Sequence, residues 1–172
     1  PEKWPAYYKK AKGCMVWDMD GNKYTDMSIM GIGTNVLGYA NQEVDDIISA
    51  LETNNFEVFS PRDFFMCPPT ADLKTQKSTY EGNLHHLQQC DFMICNTHGK
   101  DMGSIFEAGY FNCLEKPIVY FCDGLPSGAQ FNLMLAASGV KVCTSIKELD
   151  DYLRACCVWG SLLIQRYEGK IE

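Results

Sequence analysis

Residues 91–113 have the sequence DFMICNTHGKDMGSIFEAGYFNC. The first five, residues 91–95, are almost continuously apolar, which is typical of a strand buried on both faces of a sheet. A polar loop follows, and the pattern over residues 103–113 predicts a helix. A buried strand, a loop and a helix in this order predict one unit of a parallel sheet with covering helices.

The same alternation extends in both directions along the chain. Apolar runs and period-2 patterns predict four more strands, at residues 28–33, 56–59, 117–121 and 140–143. Helical patterns occupy residues 44–51, 80–89, 132–137 and 146–157, the last of them capped by Ser145, and residues 62–79 are expected to form a loop. We therefore predict an α/β fold, a doubly wound parallel five-stranded sheet with helices on both faces, flavodoxin-like in topology.

The N-terminal segment has a different pattern. Asp20-Gly21 lies between two alternating runs, which predicts a β-hairpin. We therefore divide the chain into a hairpin appendage, residues 1–27, and a main domain, residues 28–172.

Composition limits the possible partners and compartment. The formal net charge of the 172 residues is −7, and no basic run is present, so nucleic acid is not an expected partner. The nine cysteines are odd in number, irregularly spaced and without a CxxC motif, which favours reduced thiols and a cytoplasmic location. The sequence has no signal region and no apolar stretch of membrane-spanning length, so no membrane association is expected.

Two carboxylates mark the candidate site. Asp101 ends the loop after the strand at residues 91–95, and Glu107 follows in the first turns of the next helix. Ligands of doubly wound sheets bind beyond the carboxyl ends of the strands, and the six-residue spacing allows both carboxylates to reach one cleft there. Glu107 has apolar neighbours in the sequence, and a carboxylate can act as a nucleophile at a sugar carbon. The alternative is a salt bridge or a solvated helix position.

Several motifs carry a resemblance to one family. Residues 101–110, DMGSIFEAGY, resemble the signature D-x-G-(T/L)-x-x-E-x-G-x of nucleoside 2-deoxyribosyltransferases. Residues 131–135, FNLML, resemble the (F/I)-N-L-M segment of that family, and residues 166–172 resemble the tail of some members. Asn83, eight residues before Asp91, fits the pattern N-x6-C-D. The resemblance covers about residues 42–172.

The resemblance implies a retaining double displacement. Glu107 would attack the anomeric carbon and expel the base, and a second base would then take the sugar from the covalent deoxyribosyl-enzyme. Asp101 would bind sugar hydroxyls or orient Glu107. Asn132 would bind the 5′ end of the sugar, in a site shared between subunits of a homo-oligomer. The resemblance also implies that the terminal carboxylate of the tail reaches the site of a neighbouring subunit.

Other residues complete the implied site. Asn83 would face the base, where some members carry an aspartate as proton donor. Gly103 and Met134 belong to the two motifs and are assigned to substrate binding. Nucleosides and nucleobases are the expected partners, and no metal or organic cofactor is expected because the nucleophile is a carboxylate of the protein.

Three residues have open alternatives. Asn132 could be only the cap of its helix, and Asn83 could be solvated helix surface. His98, in the loop before Asp101, could act as an acid but fits a surface position better.

The first part of the chain resembles another group of proteins. Residues 13–27 and 31–41 are similar to the N-terminal region of glutamate-1-semialdehyde aminomutases and related class III aminotransferases. The lysine that binds pyridoxal phosphate in those enzymes lies in a domain without a counterpart in this sequence, so aminotransferase activity is not expected. We hypothesise that residues 27–33 supply the first strand of the sheet and that Gly31 and Gly33 replace the usual glycine loop of the nucleoside site.

The sequence is compatible with three functions. The first is deoxyribosyl transfer between bases, and the second is a nucleoside or nucleotide N-glycosidase, in which water accepts the sugar. The third is a non-catalytic nucleotide-binding module. Product analysis with and without a second base separates the first two, and substitution of Glu107 tests the third.

Overall fold

The computed structural model describes residues 8–12, 14–25, 41–61, 67, 70–97 and 101–172. The strands are β1 (Tyr8–Lys12), β2 (Met15–Asp18), β3 (Lys23–Thr25), β4 (Met93–Asn96), β5 (Ile118–Phe121), β6 (Gln130–Phe131), β7 (Lys141–Cys143) and β8 (Lys170–Ile171). The helices, numbered here in chain order, are α1 (Gln42–Thr53), α2 (Leu73–Gln89), α3 (Met102–Cys113), α4 (Leu133–Ser138) and α5 (Ile146–Trp159).

A parallel sheet of order β4-β5-β7 lies between the described helices. Met93 lies opposite Ile118, and Val119 lies opposite Lys141. β5 is buried along its whole length, because it is central and helices cover both faces. Neighbouring strands in this order match the chain order, as in one half of a flavodoxin-like sheet.

Helices cover the sheet on both faces, as predicted. Alternate residues of β5 point to opposite sides. Val119 and Phe121 pack in a core with residues of α1 and α5, whereas Ile118 and Tyr120 pack in a second core with residues of α2, α3 and α4. The α/β class and the layering are therefore confirmed.

The five-stranded sheet is not confirmed. The described residues contain three strands of the main sheet, and the predicted strand at residues 28–33 lies outside the described residues. The prediction of a strand at residues 56–59 is wrong, because no described strand pairs with this segment, which is irregular. The two rings of this segment pack against other rings instead. The ring centroids of Phe56 and Phe92 lie 5.2 Å apart, edge to face, and those of Phe59 and His86 lie 4.2 Å apart, stacked.

The helix predicted at residues 80–89 begins earlier, so the loop prediction is wrong for residues 73–79. Asp72 caps α2 by accepting a hydrogen bond from the Thr75 amide at 2.7 Å. The first turns of the helix are exposed, with Leu73 82% accessible. They therefore lack the apolar periodicity from which a helix is predicted.

A second, two-stranded parallel sheet joins β6 to β8 near the C-terminal end of the sequence. Gln165 also forms an isolated bridge with Lys141 of β7. Residues 165–172 therefore lie along the main domain, beside the segment that precedes α4.

The N-terminal strands form an antiparallel meander of order β1-β2-β3. The predicted hairpin is β2-β3, and its turn is fixed by Asp18, whose carboxylate accepts hydrogen bonds from the amides of Asp20 and Asn22 and from the Tyr24 hydroxyl. Gly21 has a φ of 89°, a conformation that favours glycine in such turns. The meander has one strand more than we predicted.

None of the nine cysteines forms a disulfide bond. This agrees with the interpretation of their spacing as non-disulfide. Among the described helices, none has both the length and the apolar character required to span a membrane.

Candidate active site

Asp101 occupies a fixed position at the carboxyl end of the sheet. It is the N-cap of α3, and its Oδ2 accepts hydrogen bonds from the Ser104 amide at 2.7 Å and the Ser104 hydroxyl at 2.8 Å. Among the described residues, no donor contacts Oδ1, so this oxygen is available to a ligand. A Cβ at Gly103 would lie 3.2 Å from Oδ2, which explains why the second residue of the helix is small.

Glu107 lies in the second turn of the same helix and is half-buried. Burial raises the pKa of its carboxyl, and the negative charge of Asp101 raises it further. No cation or hydrogen-bond donor of the described residues contacts the carboxylate. Within the described part of the chain, Glu107 therefore forms no salt bridge.

Cys95 lies beneath the two carboxylates, at the end of β4. It is 1% exposed, and its thiol points to the carbonyl oxygen of Ser104 at 3.7 Å. Burial, followed by the charges of Glu107 and Asp101, raises the pKa of the thiol to about 12. A thiol with this pKa is a poor nucleophile near neutral pH, which leaves the carboxylates as the reactive groups here.

Two polar residues, the last residue of β4 and the one that follows it, support this end of the sheet. The Asn96 side chain donates to the Glu43 carboxylate of α1 at 3.0 Å. Both the amide and the hydroxyl of Thr97 donate to the carbonyl oxygen of Phe121, at 2.8 and 2.9 Å. Sequence reasoning missed these roles, although polar residues directly after a buried strand are a usable signal.

Asn83 lies on α2, the helix that packs against α3. Its side-chain oxygen Oδ1 is buried and has no hydrogen-bond partner among the described residues. A buried acceptor without a partner costs about 1–3 kcal/mol of stability. The solvated-surface alternative for Asn83 is therefore wrong for this oxygen, and a donor on a ligand could satisfy it.

Asn132 is the N-cap of α4, as the alternative interpretation of this residue predicted. Its Oδ1 accepts from the amides of Met134 at 3.0 Å and Leu135 at 3.3 Å. The side-chain nitrogen Nδ2 makes no hydrogen bond within the described part of the chain, and Met134 is 73% exposed. Capping therefore uses only one of the two polar atoms of Asn132.

The structure brings together only part of the expected set. Asp101, Gly103 and Glu107 share the first turns of α3. No hydrogen bond, ion pair or ring contact of the described residues joins Asn132 or Met134 to the two carboxylates. The described residues do not include Gly31, Gly33 or His98. The hypothesis that the two glycines replace the usual glycine loop therefore stays a prediction.

A cavity of about 440 Å³ lies at the opposite edge of the sheet. Its walls include Phe92 and Pro117, which precede β4 and β5. It is therefore separate from the carboxylates, which lie at the carboxyl ends of these strands.

The fold and the site define the class of protein: a parallel α/β domain with two acidic side chains beyond the carboxyl end of β4. The family model of nucleoside 2-deoxyribosyltransferases matches residues 34–138, more than half of the chain. The chain belongs to this family. The matched range includes Asn83, Asp101, Glu107 and Asn132 but not the tail at residues 166–172.

A solved structure supports the fold. The 2-deoxyribosyltransferase of Bacillus psychrosaccharolyticus is 24% identical and superposes with a TM-score of 0.59. The match covers 73% of this chain and 88% of that protein. At this identity the match shows that the two proteins share a fold.

Curated relatives include glutamate-1-semialdehyde 2,1-aminomutases. Those of Sulfurihydrogenibium sp. (strain YO3AOP1) and Persephonella marina are 32% and 28% identical over 137 residues, 79% of this chain. The chain spans 29% of the length of these relatives. An alignment of 137 residues reaches about residue 137 even if it begins at residue 1, so this similarity extends beyond the N-terminal segment to which we assigned it.

Proposed function

We propose that this protein transfers 2-deoxyribose between nucleobases and that Glu107 is the nucleophile. The observation that carries the proposal is the state of the Glu107 carboxylate. It is partly withdrawn from water, close to Asp101, at the edge of the sheet where ligands of such folds bind. No neutralising cation of the described residues contacts it, and withdrawal from water without such a cation makes an ionised carboxylate a stronger nucleophile.

The first half of the reaction cleaves the nucleoside. An oxygen of Glu107 forms a bond to C1′ of the deoxyribose on the face opposite the base. The bond from C1′ to the base nitrogen breaks, and the base leaves with the electron pair and takes up a proton. The product is a glycosyl ester of Glu107.

The second half releases the sugar. A nitrogen of the incoming base attacks C1′ and loses its proton, the ester bond breaks, and Glu107 regains its carboxylate. Two successive inversions at C1′ give net retention. When water takes the place of the second base, the product is free deoxyribose.

Asp101 assists both halves from beside the nucleophile. Its Oδ2 is occupied by Ser104, whereas Oδ1 can accept a hydrogen bond from a sugar hydroxyl. Its negative charge also favours the positive charge that develops on the sugar in the transition state. Since the helix cap fixes its position, this stabilisation needs little rearrangement.

The test compares Glu107→Gln with Glu115→Gln. Glu115 is an exposed residue two positions after the end of α3, so its variant controls for loss of one carboxylate in this region. We incubate each protein with a 2′-deoxynucleoside, with and without a second base, and quantify the nucleoside formed. The wild type and Glu115→Gln should form the new nucleoside, whereas Glu107→Gln should be slower by at least about 1000-fold.

Two results would reject parts of the proposal. Transfer by Glu107→Gln at the rate of Glu115→Gln would reject the nucleophile. Free deoxyribose as the sole sugar product, even with a second base present, would reject transferase activity in favour of hydrolysis. Mass spectrometry without an acceptor base should show one deoxyribosyl group on the peptide that contains Glu107.

A further inference from the structure

The backbone beside Asn132 is held by a segment that lies 40 residues further along the chain. The amide of Glu172 donates to the carbonyl oxygen of Phe131 at 3.1 Å, and the amide of Leu133 donates to the main-chain oxygen of Glu172 at 3.0 Å. These two hydrogen bonds bracket Asn132 on both sides. They continue the pairing of β6 with β8.

The bond to Leu133 completes the cap of α4. The first amides of a helix have no partner within the helix. Asn132 satisfies the second and third of them, those of Met134 and Leu135, and Glu172 satisfies the first, that of Leu133. A helix of six residues has little stability of its own, so its start depends on these contacts.

Tyr167 anchors the same segment from the other side. Its hydroxyl donates to the carbonyl oxygen of Ala129 at 2.5 Å, and its ring lies 5.5 Å from the ring of Phe131. Phe131 is 6% exposed and packs in turn against Tyr120 of the central strand. A Cβ at Gly169 would overlap the ring and hydroxyl of Tyr167, so the chain can pass this ring only with glycine there.

We propose that residues 167–172 form a clamp that positions the side-chain amide of Asn132 for the sugar of the nucleoside. Capping occupies Oδ1 of Asn132, and this leaves Nδ2 as the donor that can reach a sugar oxygen. The direction of Nδ2 follows the backbone of residues 131–133, which the clamp fixes. Tyr167 and Glu172 are thus positioning residues that act through Asn132, and this role rests on the proposed transferase function.

The test compares Glu172→Pro with Glu172→Ala. Proline removes the amide that donates to Phe131, whereas alanine removes only the exposed side chain and retains the amide. For a 2′-deoxynucleoside donor, kcat/KM of Glu172→Pro should be about tenfold below that of Glu172→Ala, the effect of roughly one misplaced hydrogen bond. For a donor that also lacks the 5′-hydroxyl, the two variants should differ by less than about twofold. In the background of Asn132→Ala the tenfold difference should disappear, because the positioned group is already absent.

A second readout does not depend on turnover. Hydrogen exchange of the Leu133 amide should be at least about tenfold faster in Glu172→Pro than in Glu172→Ala. Tyr167→Phe, which retains the ring and loses only the hydroxyl, should shift both readouts in the same direction if Glu172→Pro does not fold.

The outcomes separate the clamp from the transferase proposal. If the wild type is inactive but the Leu133 amide exchanges faster in Glu172→Pro, the transferase and the role towards the sugar are rejected. Only the structural hold of residues 167–172 on the start of α4 is then retained. Equal kcat/KM and equal exchange in Glu172→Pro and Glu172→Ala would reject the clamp. A tenfold loss that persists in the Asn132→Ala background would also reject it, since the tail would then act on another group.

Discussion

The negative charge of Asp101 raises the pKa of Glu107, whose carboxyl is already perturbed by burial. Both residues belong to the start of α3, where Asp101 is the N-cap. The charge of Asp101 therefore influences the titration of Glu107 at the carboxyl end of β4. The chemistry of the proposed reaction requires Glu107 in its ionised form.

The first prediction concerns the pH profile of catalysis. Since burial and Asp101 raise the pKa of Glu107, kcat/KM should fall on acidification at a pH above the ordinary glutamate pKa of about 4.3. Asp101→Asn removes the neighbouring charge, and asparagine also caps helices well. The acidic limb should therefore move to lower pH in this variant. An unchanged limb would show that Asp101 does not influence the group that titrates.

The second prediction concerns stability. A raised pKa in the folded state means that the ionised Glu107 destabilises the fold. This penalty is fully present above the raised folded pKa, and it is lost as the pH falls through that value towards the unfolded pKa of about 4.3. Glu107→Gln should therefore have a higher free energy of unfolding than the wild type at neutral pH.

Urea unfolding at neutral pH and near the ordinary glutamate pKa measures this difference. The advantage of Glu107→Gln should shrink at the lower pH, whereas Glu115→Gln, which alters an exposed carboxylate, should show no advantage at either pH. A lower stability of Glu107→Gln at neutral pH would contradict the prediction. It would mean that the carboxylate stabilises the fold.

Parts of the fold could be predicted because the signal is local and strong. β5 is an apolar run that is buried on both faces, and Ser145 does cap α5 by accepting from the Glu148 amide at 3.2 Å. The first turns of α2 were missed because their side chains face water. The prediction of a strand at residues 56–59 is wrong. The apolar side chains of this segment pack against other rings, Phe56 against Phe92 and Phe59 against His86, and the backbone pairs with no described strand.

The candidate site also has parts that local sequence signals predict and parts that they do not. The positions of Asp101 and Glu107 follow from chain order, since a loop after a buried parallel strand must lie at its carboxyl end. The buried Oδ1 of Asn83 and the hydrogen bonds from Glu172 around Asn132 depend on tertiary packing. No periodicity or cap signal in the sequence contains this information, because the partners are far apart in the chain.

The third prediction concerns Asn83. Because its Oδ1 is buried without a partner among the described residues, Asn83→Leu should raise the free energy of unfolding, by up to about 1–3 kcal/mol. If this oxygen accepts a hydrogen bond from the base, the same variant should lower kcat/KM. Gain of stability with loss of activity is the pattern expected of a binding residue.

Chemical denaturation measures the stability and transfer kinetics measure the activity, with the exposed Asn112→Leu as control. A loss of stability in Asn83→Leu would mean that the oxygen has a partner in solution.

The fourth prediction separates the two roles of Asn132. Aspartate caps helices about as well as asparagine, so Asn132→Asp should retain the hydrogen bonds to Met134 and Leu135 and the stability of the fold. It replaces the Nδ2 donor by an acceptor, however, and should therefore raise KM for the deoxynucleoside by about tenfold or more. Asn132→Ala loses the cap as well, and about 1 kcal/mol of stability with it. Thermal unfolding and transfer kinetics of the two variants distinguish the roles. Wild-type KM in Asn132→Asp would show that Asn132 serves the helix alone, because only the donor distinguishes that variant from the wild type.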